Sequence, residues 1–211
     1  MMNFTKEMSI QWLEKATELI KENKDYLTEL DAAIGDADHG LNMDRGFSKV
    51  MEKMSSTEMN DCSDVFKNTA MTLISSVGGA SGPLYGSFFL KASMACKGKS
   101  ELNITDFVST LEAAVKGVTD RGRAQIGDKT MIDVWSPVIT ALKEGNETDL
   151  VELMHKALKV AENAKEATRD LLAKKGRASY LGERSIGHLD PGAVSSTLII
   201  EALDTIIDKN K

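Results

Sequence analysis

The spacing of apolar residues limits the folds that this 211-residue chain can form. In the first segment Trp12, Leu19 and Tyr26 recur at the period of an α-helix, and a second apolar row lies beside them. Aromatic residues make up only 5% of the chain, and alternating runs of Val, Ile and Thr are missing, which disfavours a β fold. The sequence therefore predicts an all-α protein.

Eight helices joined by short loops are expected from these apolar segments. They are predicted near 4–31, 39–55, 62–77, 83–97, 105–119, 130–144, 148–174 and 191–209. Residues that suit the N-cap position stand near several of the starts: Asp61, Ser81, Asn103 or Thr105, and Thr148. Short loops favour antiparallel neighbours in an up-down bundle. With no internal repeat and no long linker, we expect one domain over residues 1–211.

Composition narrows the classes of function. A formal net charge of -6 argues against a general nucleic-acid binder, and no apolar run is long enough to span a membrane. The N-terminal residues lack the pattern of a signal peptide. Cys62 and Cys96 form neither a metal-ligand pair nor a disulfide framework, which suits a reducing compartment. We therefore expect a cytoplasmic protein that binds neither nucleic acid nor membrane.

One stretch, "LDAAIGDADHGLNMDRG" at 30–46, places Asp31, Asp36 and Asp38 within eight positions. Carboxylates brought close together repel each other unless a cation neutralises them, and ligands that are all oxygen suit magnesium or calcium. The calcium-loop pattern fails, because Leu41 stands where that loop needs glycine. Magnesium is therefore favoured. The other interpretation is a polar turn in which Asp38 caps the next helix, and the pattern alone leaves both open.

Three further loops are rich in glycine and cationic residues. They are "SSVGGASGPLYG" (75–86), "RGRAQIGDKTM" (121–131) and "GRASYLGERSIGHLDPGA" (176–193), the last of which overlaps the longest connection, near 175–190. Glycines let main-chain N–H groups approach an anion, and the planar arginine group suits phosphate. Ordinary helix caps and turns are the alternative for each loop alone. If the helices alternate in direction, the loops at one end can meet in a single site.

Taken together, "GDADHGLNM", "GGASGPLYGSFF", "GDKTM" and "ASYLGERSIGHLDPGA" resemble the ADP-binding L subunits of bacterial dihydroxyacetone kinases. The resemblance covers essentially the whole chain in the order of that family. The length is similar to the form that stands apart from a substrate domain. The resemblance implies an eight-helix antiparallel barrel with a nucleotide site in the loops at one end.

The resemblance also implies a set of ligands. Asp31, Asp36 and Asp38 would bind two magnesium ions that bridge to the phosphates of ADP, or of ATP in the charged state. The nucleotide would be bound by His39, Gly40, Leu41, Asn42, Ala80, Ser81, Gly122, Thr130, Met131, Arg177, Asp190, Pro191 and Gly192. Arg177 is also a hypothetical stabiliser of the transferred phosphoryl group.

The activity expected from the resemblance is a phosphoryl transfer that depends on the phosphotransferase system. A phosphohistidine on an M subunit would convert bound ADP to ATP in place. The group would then pass to dihydroxyacetone on a K subunit, giving dihydroxyacetone phosphate. Two alternatives stay open: a subunit of an ATP-dependent kinase that exchanges its nucleotide, and a nucleotide-loaded module that binds a transcriptional regulator. The sequence offers no obvious catalytic base, which is consistent with a base on a partner.

Overall fold

The computed structural model describes residues 2–145 and 149–211, and most of these residues are helical. The helices are α1 (Lys6–Glu22), α2 (Lys24–Ile34), α3 (His39–Met54), α4 (Cys62–Ser76), α5 (Ser81–Ala95), α6 (Ile104–Gly122), α7 (Ile132–Glu144), α8 (Leu150–Ala167) and α9 (Pro191–Lys209). Short 3-10 segments cover Thr168–Asp170 and Arg177–Ser185. Two-residue strands, β1 (Phe4–Thr5) and β2 (Glu101–Leu102), pair antiparallel. The prediction of an all-α protein is confirmed.

Within the described residues, eight helices form a closed ring. From α3 to α9 each helix packs on the next one in the chain, and α1 packs on both α3 and α9. Trp12 on α1 donates its indole N–H to the carbonyl of Ile199 on α9 at 2.8 Å, which joins the first helix of the ring to the last. The short helix α2 packs on α3 and α9 outside this ring. This arrangement matches the expected antiparallel barrel.

The interior of the ring is packed with aromatic side chains. Trp12 lies 6.0 Å from Phe66 and 5.7 Å from Phe89, measured between ring centroids. Phe88 continues the cluster to Trp135 at 4.7 Å. All five side chains are fully or almost fully buried. Burial of each large apolar side chain contributes about 1.5–3 kcal/mol, so this cluster is a main source of the stability of the fold.

The predicted helix 4–31 is wrong as a single element, because the chain divides at Asn23. The main-chain N–H and the side-chain Nδ2 of Asn23 both donate to the carbonyl of Leu19, at 3.0 and 2.9 Å, and end α1. Asparagine competes with helical hydrogen bonds in this way, and apolar spacing does not register it. As a result Trp12 and Leu19 are buried, whereas Tyr26 is 44% exposed.

The predicted helix ends and caps are partly confirmed. Asp61 caps α4 by accepting the N–H of Asp64 at 2.8 Å, and Asn103 caps α6 in place of the alternative Thr105. Ser81 is instead the first residue of α5, without a side-chain cap. Helix α8 ends at Ala167 rather than near residue 174.

Two further features concern the connections. The predicted cap Thr148 lies outside the described residues, and the side chain of Asp149 caps α8. The connection near 175–190 contains the 3-10 segment Arg177–Ser185.

Over residues 2–145 and 149–211, every helix is too short or too polar to cross a membrane.

Candidate functional site

Four loops meet at one end of the ring around a cavity of about 480 Å³. Alternating helix directions explain this, because the loops 35–38, 77–80, 123–131 and 168–190 all join a helix that ends at this side to one that begins there. Each loop region contributes to the wall, through residues such as Asp36, Ser81, Thr130 and Asp190. The volume lies in the range of sites for small ligands and cofactors.

Three carboxylates form a compact group at the edge of the cavity. One oxygen of each of Asp31, Asp36 and Asp38 lies within 4.8 Å of the others. Asp31 projects from the last turn of α2 and is buried, Asp36 is exposed, and Asp38 is intermediate. A set of hard oxygen ligands at this spacing suits Mg²⁺.

The local hydrogen bonds show which of these carboxylates satisfies the start of α3. Asp31 Oδ2 accepts the main-chain N–H groups of Asp38 and His39, at 2.9 and 3.1 Å, and so satisfies the start of α3. Asp38 holds the N-cap position, but its side chain makes no capping hydrogen bond. Gly35 lets the chain pass close to the Asp31 carboxylate, where a Cβ would collide. The capping role therefore falls to Asp31, and the carboxylate of Asp38 is left for another partner.

Arg177 reaches this carboxylate group from the fourth loop. Its Nε lies 2.8 Å from Asp36 Oδ2. The arginine side chain is 69% exposed, so the ion pair itself contributes little to stability. Its consequence is geometric, because it places a guanidinium group beside the three carboxylates.

A buried chain of hydrogen bonds lies under the cavity. His39 Nδ1 is 3.1 Å from Ser81 Oγ, and His39 Nε2 is 2.9 Å from Ser195 Oγ. The hydroxyl of Tyr85 lies 2.9 Å from both Ser195 and Ser196. Burial lowers the pKa of His39 and raises that of Tyr85 to about 12, so both side chains are neutral near pH 7.

Hydrogen bonds to buried side chains fix the conformation of the third loop, residues 123–131. Asp133, in the first turn of α7, accepts the main-chain N–H groups of Gly127 and Thr130 at 2.5 and 2.7 Å. Lys129 adopts a left-handed backbone conformation, with φ of 62°, and its side chain is buried. These contacts fix the loop that presents Thr130 and Met131 to the cavity.

Asp190 begins α9 at the cavity wall. Its Oδ2 accepts the N–H of Ala193 at 2.7 Å, and its own N–H donates to Thr168 Oγ1 at 3.1 Å. Burial raises the pKa of the Asp190 carboxyl to about 7. No sequence pattern indicates this shift, because it arises from the surroundings of the carboxyl in the folded chain.

Most of the residues predicted for the nucleotide site line this cavity. They are His39, Ala80, Ser81, Gly122, Thr130, Met131, Arg177, Asp190, Pro191 and Gly192, together with the three aspartates. Gly40, Leu41 and Asn42 lie outside the lining. Gly40 packs against the start of α2, Leu41 is 52% exposed, and Asn42 accepts a hydrogen bond from Arg45 at 2.6 Å.

The sequence patterns missed other parts of the site. Val118, Leu84 and Ile132 form an apolar wall, and Lys129 and Tyr85 also line the cavity. The helical spacing of these apolar residues predicts only that they lie in the core, so the sequence does not indicate that they line a cavity. Sequence patterns do not distinguish Lys129 from the other cationic residues of its loop, because its partners lie far away in the sequence.

Comparisons with known proteins identify the family to which the chain belongs. The DAK2 domain family model matches residues 33–205. The chain is 46% identical over 204 residues to the PEP-dependent dihydroxyacetone kinase, ADP-binding subunit DhaL, of Escherichia coli (strain K12), covering 96% of this chain and 97% of the relative. It is 47% identical over 202 residues to the PEP-dependent dihydroxyacetone kinase 1, ADP-binding subunit DhaL, of Listeria innocua, with coverage of 96% and 97%.

A solved structure has the same fold. The dihydroxyacetone kinase from C. freundii in complex with AMP-PNP and Mg²⁺ superposes with a TM-score of 0.72 at 23% identity. The match covers 92% of this chain but 33% of that longer chain, so the protein corresponds to about one third of the C. freundii kinase. Since the family model spans most of the sequence, this chain belongs to the DAK2 domain family.

Proposed function

We propose that this chain is the nucleotide-binding subunit of a dihydroxyacetone kinase and holds Mg-ADP as a bound cofactor. The carboxylate group of Asp31, Asp36 and Asp38, beside the cavity of about 480 Å³, is the observation that carries the proposal. The relatives that match this chain over nearly their whole length are named ADP-binding subunits. The C. freundii kinase that shares the fold is in complex with AMP-PNP and Mg²⁺.

Asp31, Asp36 and Asp38 offer the oxygen ligands that would hold two magnesium ions. Asp31 Oδ2 already accepts two N–H groups, which leaves its Oδ1 with Asp36 and Asp38 as metal ligands. Bound magnesium supplies neutralisation of the phosphate charge. Arg177, next to Asp36, would contact a phosphate oxygen, and Ser81 opens the α5 helix at the cavity wall.

The reaction that fits this site is phosphoryl transfer through bound nucleotide. Such a transfer needs positioning and charge stabilisation more than covalent participation by the protein. The phosphoryl group would come from a phosphohistidine on an M subunit, which converts ADP to ATP in place. It would then go to a hydroxyl of dihydroxyacetone held by a K subunit, where the base also resides. Residues 1–211 would act as one domain in the cytoplasm.

The nucleotide content of the purified protein tests the cofactor role. The protein is purified without added nucleotide, dialysed extensively against magnesium-containing buffer and denatured, and the released compounds are identified by mass spectrometry. We expect ADP close to one equivalent per chain. An empty protein that turns over free ATP with the K subunit would instead identify the exchangeable kinase alternative.

Replacement of one metal ligand tests the role of the carboxylates. Asp38→Asn keeps the side-chain size and the main-chain bond to Asp31 but removes one negative charge, so magnesium-dependent ADP affinity should fall at least about tenfold. Asp44→Asn on α3 is the matched control and should bind as the original protein does. Calorimetric titration with Mg-ADP measures both. Equal affinity of the two variants would remove Asp38 from the metal site.

A further inference from the structure

Lys129 carries a buried ammonium group that binds to main-chain oxygens from distant segments. The residue is only 1% exposed. Within the described residues its Nζ lies within hydrogen-bond distance of four carbonyl oxygens, those of His188 at 2.6 Å, Thr168 at 2.7 Å, Leu171 at 3.1 Å and Arg169 at 3.3 Å. Since an ammonium has three N–H groups, at least two of these oxygens share one hydrogen. Carbonyl oxygens in this arrangement replace the hydration shell of a cation.

Three of these carbonyls belong to the turn that follows the end of α8 at Ala167, where the carbonyl of Thr168 also accepts the N–H of Leu171 and that of Arg169 the N–H of Gly187. The fourth belongs to His188, two residues before Asp190, the N-cap of α9. The ammonium therefore joins three segments: its own loop, the turn 168–171 and the approach to α9. Another bond between two of these segments runs from the N–H of Gly187 to the carbonyl of Arg169 at 2.8 Å.

The segments that Lys129 joins lead directly into the cavity wall. Thr130 and Met131 follow it in the chain, and Asp190 to Gly192 follow His188. The carbonyl oxygens already take the hydrogen bonds of the Lys129 ammonium, so these bonds are not available to a ligand. The side chain therefore acts on the ligand through the wall, not by contact with its phosphates.

We propose that Lys129 is a positioning residue for the nucleotide site, where its ammonium serves as an internal monovalent cation that holds the third loop and the start of α9 in register. The inference rests on the proposed nucleotide function. It also implies a latent site: with the lysine side chain removed, the carbonyl cage has the chemistry to bind potassium or a small alkylammonium ion from solution.

Three variants of the full chain test the proposal. Lys129→Met keeps the apolar stem and removes the charge, and Lys129→Ala opens the cage to an added cation. Lys116→Ala is the control, because the Lys116 side chain is 72% exposed on α6. Hydrogen exchange is measured by mass spectrometry with magnesium and without nucleotide, and Mg-ADP affinity is measured by calorimetry.

We expect Lys129→Met to lose amide protection in 168–174 and 186–190 while the protection of α8 and α9 persists. Its Mg-ADP affinity should fall at least about tenfold, which corresponds to the loss of one or two charge-assisted hydrogen bonds. Lys129→Ala should behave in the same way in sodium buffer. Ethylammonium or potassium should restore both its protection and its affinity, whereas tetramethylammonium, which has no N–H and is larger, should not. The control should match the original protein throughout.

Several results would overturn the inference. One is unchanged affinity and protection in Lys129→Met, and another is a loss in Lys129→Ala that neither cation reverses. Loss of the helical circular dichroism signal in both variants would also do so, because Lys129 would then belong to the stability of the fold. If the original protein binds no ADP, the proposed function fails, while the exchange and cation measurements still decide the role of Lys129.

Discussion

At the scale of residues, the buried hydrogen bonds under the cavity run through a series of hydroxyl groups, some of which have more than one partner. The hydroxyl of Tyr85 is hydrogen-bonded to both Ser195 and Ser196, and Ser195 is also hydrogen-bonded to His39. Ser81, at the other nitrogen of His39, reaches the cavity wall. A neutral imidazole has one N–H donor and one acceptor, and each of its two hydroxyl partners can take the complementary role.

Tyr85→Phe tests whether this chain of hydroxyl groups stabilises the site. The change leaves Ser195 and Ser196 each without one partner in a buried environment, and should lower the free energy of unfolding by about 1–3 kcal/mol. Urea denaturation followed by circular dichroism measures the difference. Tyr180→Phe is the control, because Tyr180 is 88% exposed and should be neutral. Equal stability of the two variants would show that the Tyr85 hydroxyl is dispensable.

Residue types revealed the carboxylates but not the groups that organise them. Asp31, Asp36 and Asp38 stand close together in the sequence, so their crowding was visible before any fold was known. Lys129 and Ser195 were different, because Thr168, which Lys129 binds, lies 39 residues away, and His39, which Ser195 binds, lies 156 residues away. A cation that binds carbonyls, or a serine that binds a histidine, leaves no local pattern. Only the closing of the ring brings such pairs together.

At the scale of elements, α3 and the end of α4 approach each other through a glycine. A Cβ at Gly46 would collide with the side chain of Val77 and come close to that of Leu73. Glycine inside a helix is normally less stable than alanine by about 1 kcal/mol. The close contact reverses this preference, and the same contact brings the glycine-rich loop near the start of α3.

A double-mutant cycle tests the contact between these two helices. Gly46→Ala should destabilise the protein by about 1–3 kcal/mol through overpacking, despite the better helix propensity of alanine. Val77→Ala should also be destabilising alone, because it leaves a small cavity. In the double variant the two effects should partly cancel, and chemical denaturation gives the interaction energy. Additive effects would show that α3 and α4 do not meet at Gly46.

Helices were predictable as elements, whereas their interruption was not. Six of the eight expected segments correspond to a helix with similar limits, because each has an apolar face that the core requires, and the segment 148–174 corresponds to α8, which ends earlier, at Ala167. The first segment failed at Asn23, where the side chain and main chain both bond to Leu19. Whether an asparagine ends a helix or lies on its surface depends on the packing that follows. Here α2 must turn to place Asp31 beside Asp38.

At the scale of the whole molecule, the reactivity of the two cysteines depends on whether the ring of helices is closed. Cys62 begins α4 and Cys96 follows α5, both at the end opposite the cavity. Both are free and fully buried, and burial raises their pKa values to about 12 and about 11. They should therefore react with a thiol reagent only when the ring opens.

Thiol labelling with and without Mg-ADP tests the cooperativity of the fold. If the ring opens as one unit, Mg-ADP bound at the cavity should slow the labelling of the cysteines at the opposite end. The rate should fall by the same factor by which the ligand increases the ratio of native to open protein. At a ligand concentration of 100 times Kd, that factor is about 100. The denatured protein, fully labelled in both conditions, is the control. Labelling rates that do not change with nucleotide would indicate local fraying around the cysteines.

The alternation of helix directions also sets the electric field at the cavity. Helices α3, α5, α7 and α9 begin at this end, whereas α4, α6 and α8 finish there. Each helix carries about half a positive charge at its N-terminus and half a negative charge at its C-terminus. The rim is therefore a circle of poles of alternating sign, spaced by about 10 Å, the distance between packed helices. A lone anion or a lone cation meets poles of both signs there, whereas a metal–phosphate complex carries both charges in one body and can match them.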